Sequence, residues 1–193
     1  MGMSGDVWSV TQQSDADFYV EAVTPSGAGA LTVANTVPAR NGVGYQVTVT
    51  SDGADSGRTF TVTGIGMDGK VLTEAITGPA TTTVTGSSYF VQVTGVSVDA
   101  ATAGSITVGY GGNFSLPKTR IKHVYYEASA TAGTITVTRA SDSAQLFYLP
   151  TPSSEDHTDG LLMPGEGILT AYTVNDYATV ATTNLVVLNL ICG

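Results

Sequence analysis

An all-β chain, built as two antiparallel β-sandwich or jelly-roll-like domains with almost no helix, is what this sequence predicts. Three observations carry that reading. Thr, Val and Ile number 30, 23 and 7, so 60 of the 193 residues are β-branched. Such side chains pack well on a pleated sheet and crowd a helix. Apolar and polar residues alternate with period two in several stretches, as half-buried strands require. No stretch sustains a 3.6-residue apolar stripe, and charged residues make up only 12% of the chain, against roughly 25% in an average globular domain. Helical bundles and coiled coils lack their usual composition here. The hydrophobic fraction of 42% and mean hydropathy of +0.17 exclude global disorder.

Residues 1–17 are polar, small and acidic around the lone Trp8. They read as an N-terminal arm that docks on a partner through Trp8, or alternatively as a strand that buries it. The first domain then covers 18–113. Within it, Tyr45-Gln46-Val47-Thr48-Val49-Thr50 alternates cleanly, and Arg58–Thr63 and Lys70–Ile76 flank Asp68-Gly69, a pair suited to a tight hairpin. Tyr45–Ile76 is therefore expected to be a three-strand meander. Tyr89–Val98 is a further strand, and a turn over Ala100–Gly104 opens Ser105–Tyr110. Gly111-Gly112-Asn113 reads as a linker to a second domain, 114–193. There Thr119–Ala128 places Ile121, Val124 and Tyr126 inward if a bulge shifts the phase. Strands follow at Thr134–Arg139, Ala144–Leu149, Gly167–Val174 and Leu185–Cys192, with a polar loop over Pro150–Gly165. One internal echo stands out. Ala101–Val108 and Ala130–Val137 agree at seven of eight positions, 29 residues apart, which reads as one kind of turn opening a strand twice, since two copies do not make a repeat array.

Charge narrows the function. Lys and Arg total 7 against 16 Asp and Glu, a net −9 with a pI near 4.3. A nucleic-acid binder must neutralise phosphates with basic side chains, so no nucleic-acid partner is expected. The basic residues that do cluster are Lys118, Arg120 and Lys122, which share one face of a strand by alternation, with His123 beside them; the cluster reads as a solvated strand face, or alternatively as an anion- or partner-binding stripe. Cys192 is the lone cysteine, so no intrachain disulfide or cysteine-based zinc site can form. Met1–Asp6 has neither a basic nor an apolar signal region, and the apolar run ending at Cys192 is too short to span a bilayer. A soluble protein made in a cytoplasm, with no membrane partner, is expected.

Chemistry finds little purchase. The loop Glu155-Asp156-His157-Thr158-Asp159 combines carboxylates with an imidazole but lacks zinc or EF-hand spacing. Asp52, Asp55 and Asp68 sit at turns without the spacing of a calcium loop, and Asp is favoured in turns because its carboxylate bonds nearby amides. Tyr125, Tyr126, Tyr148, Tyr172 and Tyr177 could line a groove and are equally expected as core or subunit-interface residues, and no acid/base pair accompanies them. No enzyme activity, cofactor or metal is expected.

Turn-and-strand patterns carry a resemblance. The segments Ala130-Thr-Ala-Gly-Thr-Ile-Thr-Val137, Leu161-Leu-Met-Pro-Gly-Glu-Gly-Ile-Leu169 and Asn184–Cys192 are similar to small β-sandwich structural proteins of tailed bacteriophages. In the first half, Thr61-Val62-Thr63-Gly64 through Thr73-Glu74, Gly78-Pro79, Tyr89-Phe90 and Val98-Asp99-Ala100-Ala101-Thr102-Ala103-Gly104 also resemble phage virion proteins. Together these cover about three-quarters of the chain. The chain's close departs from the pattern, ending Ile191-Cys192-Gly193 where an aromatic-Gly pair is common. The resemblance implies a non-enzymatic capsid decoration (auxiliary or cement) protein. Its partner would be the major capsid protein, its position the capsid exterior of a virion assembled in the host cytoplasm, and its favoured state a homotrimer. A neck, tail or fibre component recognising a host-surface glycan is the alternative. A chain at −9 suits an exterior position, because packaged DNA repels it. Contact with the shell is expected through Trp8, Lys118, Arg120, Lys122 and Arg139.

Overall fold

Threonine and valine alternation becomes strand wherever a neighbour can cover its apolar face. In the computed structural model, which describes residues 8–38, 42–151, 156–162, 168–169, 177–183 and 185–192, every regular element is a β-strand. These are β1 (Trp8–Thr11), β2 (Asp15–Val23), β3 (Gly29–Leu31), β4 (Gly44–Ser51), β5 (Thr59–Gly66), β6 (Val71–Thr77), β7 (Thr83–Val98) and β8 (Ile106–Leu116). They continue with β9 (Arg120–Ala128), β10 (Gly133–Arg139), β11 (Gln145–Thr151), β12 (Asp156–Leu162), β13 (Ile168–Leu169), β14 (Ala178–Thr183) and β15 (Leu185–Cys192). The chain divides into two compact units, Gln13–Phe114 and a second made of Met1–Gln12 with Ser115–Gly193.

In the unit Gln13–Phe114, the strand order β8-β4-β7-β5-β6 is extended by β2 on β8 and β3 on β7. The long β7 changes partners along its 16 residues. Its first half pairs antiparallel with β4, and its second half with β5, while its last three residues also pair with β3. Phe90 stands at the change-over, opposite both Tyr45 and Gly66, and is fully buried. Gly64 has to be glycine here, because a Cβ would collide with the Gln92 carbonyl and the Phe90 ring. Strand β5 shows the expected alternation, with Phe60 and Val62 inside and Thr59, Thr61 and Thr63 outside. Aromatic rings fill the other end of the core. Tyr45 lies 4.7 Å from Tyr110 and 6.0 Å from Phe114 between centroids, and Phe18 meets Tyr110 edge-on at 5.3 Å. Each such pair adds about 0.5–1.5 kcal/mol beyond the area it buries.

Two expectations change in this unit. The hairpin across Asp68-Gly69 joins β5 to β6, with Gly69 at φ 74°, but β4 does not complete a meander with them. It lies between β8 and β7, and β7 separates it from β5. A strand as long as β7 can cover both, so the nearest strand in sequence is not the nearest in space. Gly111-Gly112-Asn113 is also no linker, for it lies inside β8. Pairing with neighbours overrides the weak strand propensity of glycine there.

In the second unit, β1-β15-β9-β12 form one sheet with β13 also on β9, and β11-β10-β14 run side by side. Val10, Leu190 and Val124 stand opposite one another across three strands, and all are buried. The bulge expected in β9 is present. Ile191 faces His123 but Cys192 faces Ile121, so Lys122 is the extra residue and Ile121, Val124 and Tyr126 all turn inward. Strand β10 buries Ile135 and Val137, as β8 buries Ile106 and Val108, so both copies of the echoed turn open a strand with the same inward pair. Of the arm or strand expected over residues 1–17, the described part contains strand. Trp8–Thr11 pairs with the last strand, and β2 already begins at Asp15. The polar loop expected over 150–165 contains strand β12, which pairs with β9 without any alternation in its sequence to announce it. Of the strand expected over 167–174, residues 168–169 form β13, and the remainder lies outside the described residues.

Within the aromatic core, the Tyr19 hydroxyl is fully buried and meets no protein partner among the described residues. Burial first, then Tyr110 and Tyr45, push its ionisation far above that of a free tyrosine, so it stays a neutral donor. Removing an unpaired buried hydroxyl while keeping the ring relieves its desolvation cost. Tyr19→Phe is expected to raise stability by about 1 kcal/mol, seen as a higher urea midpoint at unchanged slope. A lower midpoint would mean that the hydroxyl makes a stabilising bond.

Candidate functional site

The basic residues singled out by the sequence fall at the start of β9. Lys118 is exposed just ahead of the strand, Arg120 is its half-buried first residue, and Lys122 is the half-buried bulge residue. Downstream the outer face carries His123 and Tyr125, whose rings stack at 6.1 Å with planes 12° apart. The pairing extends this face sideways. Ser9, Ile191 and His123 form one cross-strand row, and Thr11, Asn189 and Tyr125 the next. Trp8 stands in the row of Cys192 and Ile121, two strands and about 10 Å from the basic residues at ordinary strand spacing. Its side chain lies outside the described residues. The sheet therefore gathers four of the five residues expected to meet a partner.

Arg139 is the one it sets apart. It is only 7% exposed, and its Nη1 donates to Asp142 Oδ2 at 2.7 Å. Asp142 Oδ1 accepts the Ala144 amide, and the Arg139 amide donates to the Ala144 carbonyl. Arg139 is thus the anchor of the β10–β11 turn, in which Ser143 adopts φ 57°. The alternation of β10 signals this, because Arg139 falls in phase with Ile135 and Val137.

The turn carboxylates hold backbone. Asp55 is 1% exposed and accepts the Ser51 hydroxyl at 2.6 Å, the Ala103 amide at 2.6 Å and the Gly104 amide at 3.3 Å. Burial alone would push its carboxyl up, but the Ser51 hydroxyl, the two amides and nearby Arg58 more than offset that, and it lies below the usual carboxylate range. Asp52 accepts the Ser105 amide at 2.7 Å, and Arg58 Nε donates to the Ala101 carbonyl at 2.6 Å. The backbone of Asp55, Gly78 and Thr81 joins the loop around 78–81 to the same cluster. Three loops are tied at one point. Asp68 likewise accepts the Lys70 amide at 3.0 Å. On β6, Glu74 reaches the Ser87 amide at 2.6 Å, the Ser87 hydroxyl at 2.8 Å and the Ser88 amide.

The remaining candidates scatter. Tyr126 is core, Tyr125 stacks on the outer face, Tyr148 is 50% exposed on β11 and Tyr177 is half-buried, while Tyr172 lies outside the described residues. His157 pairs through its backbone with Tyr126, and its side chain is also outside them. Cys192 is buried, and burial pushes its thiol up to about 12, which leaves it unreactive at neutral pH. Compared with protein-family models, curated proteins and solved structures, the chain matches none.

Asp55 generates a signed prediction. A carboxyl held below its ordinary value of 3.8 contributes stability that is complete above that value and is lost as pH falls through the lowered one. Asp55→Asn removes the charge and sets an amide donor against other donors, and about 2–3 kcal/mol of stability should be lost at pH 7. Below about pH 4 the wild type should lose stability more steeply than the variant. Parallel pH profiles of unfolding would contradict this assignment.

Proposed function

We propose that the chain is a non-enzymatic virion structural protein that binds the outer surface of a tailed-phage capsid and stabilises the shell. The observation that carries this reading is the use made of its polar side chains. Asp52, Asp55, Asp68, Glu74 and Asp142 each accept backbone amides of the chain itself. Such groups stiffen loops and are already occupied, which suits a scaffold that presents surface to neighbours better than a site that moves protons. The resemblance of the turn patterns supplies the phage assignment, and the net −9 charge favours the outside of a DNA-filled shell.

The shell-facing surface we assign is the outer face of β1-β15-β9-β12 around Lys118, Arg120 and Lys122; Arg139 is left out, and so is Trp8, whose row is that of the inward-facing Cys192 and Ile121. A basic patch on an acidic protein orients it, because its remaining surface is repelled by an acidic partner. Several copies bound at once, as in the favoured trimer, multiply a weak single contact into stable attachment. Binding only the assembled shell would stabilise that state by mass action.

Imaging of the purified virion tests the position. Hundreds of copies on the head are expected; a single ring at the portal or tail would move the protein to the neck, tail or fibre reading, and absence from the particle would overturn both. Replacing Lys118, Arg120 and Lys122 together by Gln should weaken capsid binding about tenfold and flatten its salt dependence. Unchanged occupancy would remove this face from the contact.

A further inference from the structure

Residues 22–38 hold no charged side chain, yet most of them are exposed. Two other uncharged tracts of at least this length, 75–98 and 100–117, run into the core strands β7 and β8. Here the tract climbs the end of β2, turns over 24–28 and descends as β3, and between its two limbs lies a slot of about 640 Å³. Val20, Glu21, Val23, Pro25, Ala30 and Leu31 are among its lining residues. One end is closed where Ala34 donates its amide to the Tyr19 carbonyl, and the turn is pinned where Thr102 donates to the Pro25 carbonyl. Val23 is 39% exposed and Val37, farther along the tract, 47%. Its volume falls within the range of ligand-binding clefts, roughly 300–1,000 Å³.

Both limbs present open strand edges. Strand β2 pairs with β8, strand β3 with β7, and neither has a second partner among the described residues. The direction of the free groups follows from register. Asp99 donates its amide to Thr59, toward β5, and amide direction alternates along a strand. Val98 and Val96 therefore turn toward β3 and meet Gly29 and Leu31, which leaves the N–H and C=O of Ala30 pointing away from β7. An exposed edge without a charge or proline at its centre is a template for another strand. Charge selects the occupant. Glu21 lines the slot, Asp15 and Asp17 lie on the same strand, and residues 1–39 contain no Lys, Arg or His. A second copy of this edge would set these acids against themselves.

We propose that this slot accepts an extended segment of a partner protein, small and uncharged in its middle and carrying Lys or Arg toward β2, which adds a strand at the Ala30 edge. The inference stands apart from the virion reading, because it concerns the surface and the chemistry of its occupant whatever assembly supplies it. Main-chain hydrogen bonds give the affinity, and Glu21 in the lining gives the direction and the preference.

The test uses the full-length chain and two fluorescein-labelled peptides of about six residues, enough to span β3. Both alternate valine and threonine; one is flanked by lysines and its twin by glutamates. Saturable binding of the lysine peptide is expected, roughly fivefold or more tighter than its twin, with the preference shrinking as salt is added. Ala30→Pro removes an edge amide that β7 does not use, so it should abolish binding while thermal unfolding stays near that of the wild type. Glu21→Lys should reverse the preference between the peptides, and it carries the test if Ala30→Pro does not fold. No saturable binding, or equal affinity in folded Ala30→Pro, would overturn the proposal. So would a concentration-dependent dimer that the peptide disperses, which would give the slot to a second copy.

Discussion

A single buried carboxylate, Asp55, ties three loops of the unit Gln13–Phe114 into one cluster. It takes the Ser51 hydroxyl from the end of β4 and two amides from the turn before β8, while its own amide reaches the Pro79 carbonyl ahead of β7. The contact is tight enough that a Cβ on Gly53 or Gly104 would overlap the facing backbone. Strands β4 and β5, neighbours in sequence across this cluster, are not neighbours in the sheet. With 51–58 anchored to the turn of β8, β4 stays beside β8, β5 is released to the far side of β7, and the bipartite pairing of β7 follows. Charge stabilises the cluster only while the carboxyl is ionised, and its lowered pKa expresses the same coupling between the loops.

Using side chains this way leaves the surface with an uneven character. Asp52, Asp55, Asp68, Glu74 and Asp142 are occupied with amides, and Arg139 is drawn inside the β10–β11 turn. Two surface features stand out among the described residues, one in each unit. One is the basic start of β9 beside an aromatic stack; the other is the uncharged arch of β2 and β3 under an acidic strand. Both are the surfaces proposed above for contact with other proteins, and they differ in charge.

Much of the strand content was legible, because alternation is a local property. The segments around Tyr45–Thr50, Thr59–Thr63 and Thr134–Arg139 announce their faces by period two, and Asp68-Gly69 announces its hairpin. Even the bulge at Lys122 was readable, since Ile121, Val124 and Tyr126 cannot face one side without it. Long-range pairing was not legible in this way. Nothing local in Val47 or Val49 says that β7 and not β5 lies beside them, and Gly111-Gly112-Asn113 has the composition of a break although neighbouring strands hold it extended. Strand β12 lacks alternation because its pairing with β9 is made by backbone groups that any residue supplies. In the candidate site, the proximity of Lys118, Arg120 and Lys122 follows from spacing alone. Trp8 joins their sheet only through the pairing of β1 with β15, and the slot at Ala30 depends on which way an amide points, which no composition reveals.

Amide hydrogen exchange on the free, full-length chain tests the account most directly, because it inverts the ordinary expectation at two positions. Ala103 lies exposed in a loop, yet its amide donates to the buried Asp55 carboxylate. It should exchange as slowly as amides of the core strands. Ala30 lies within a strand, but its amide points away from β7 and should exchange like that of an open loop. Rapid exchange at Ala103 would contradict the loop cluster on which the pairing of β7 rests, and protection of Ala30 in the unliganded protein would contradict the open edge.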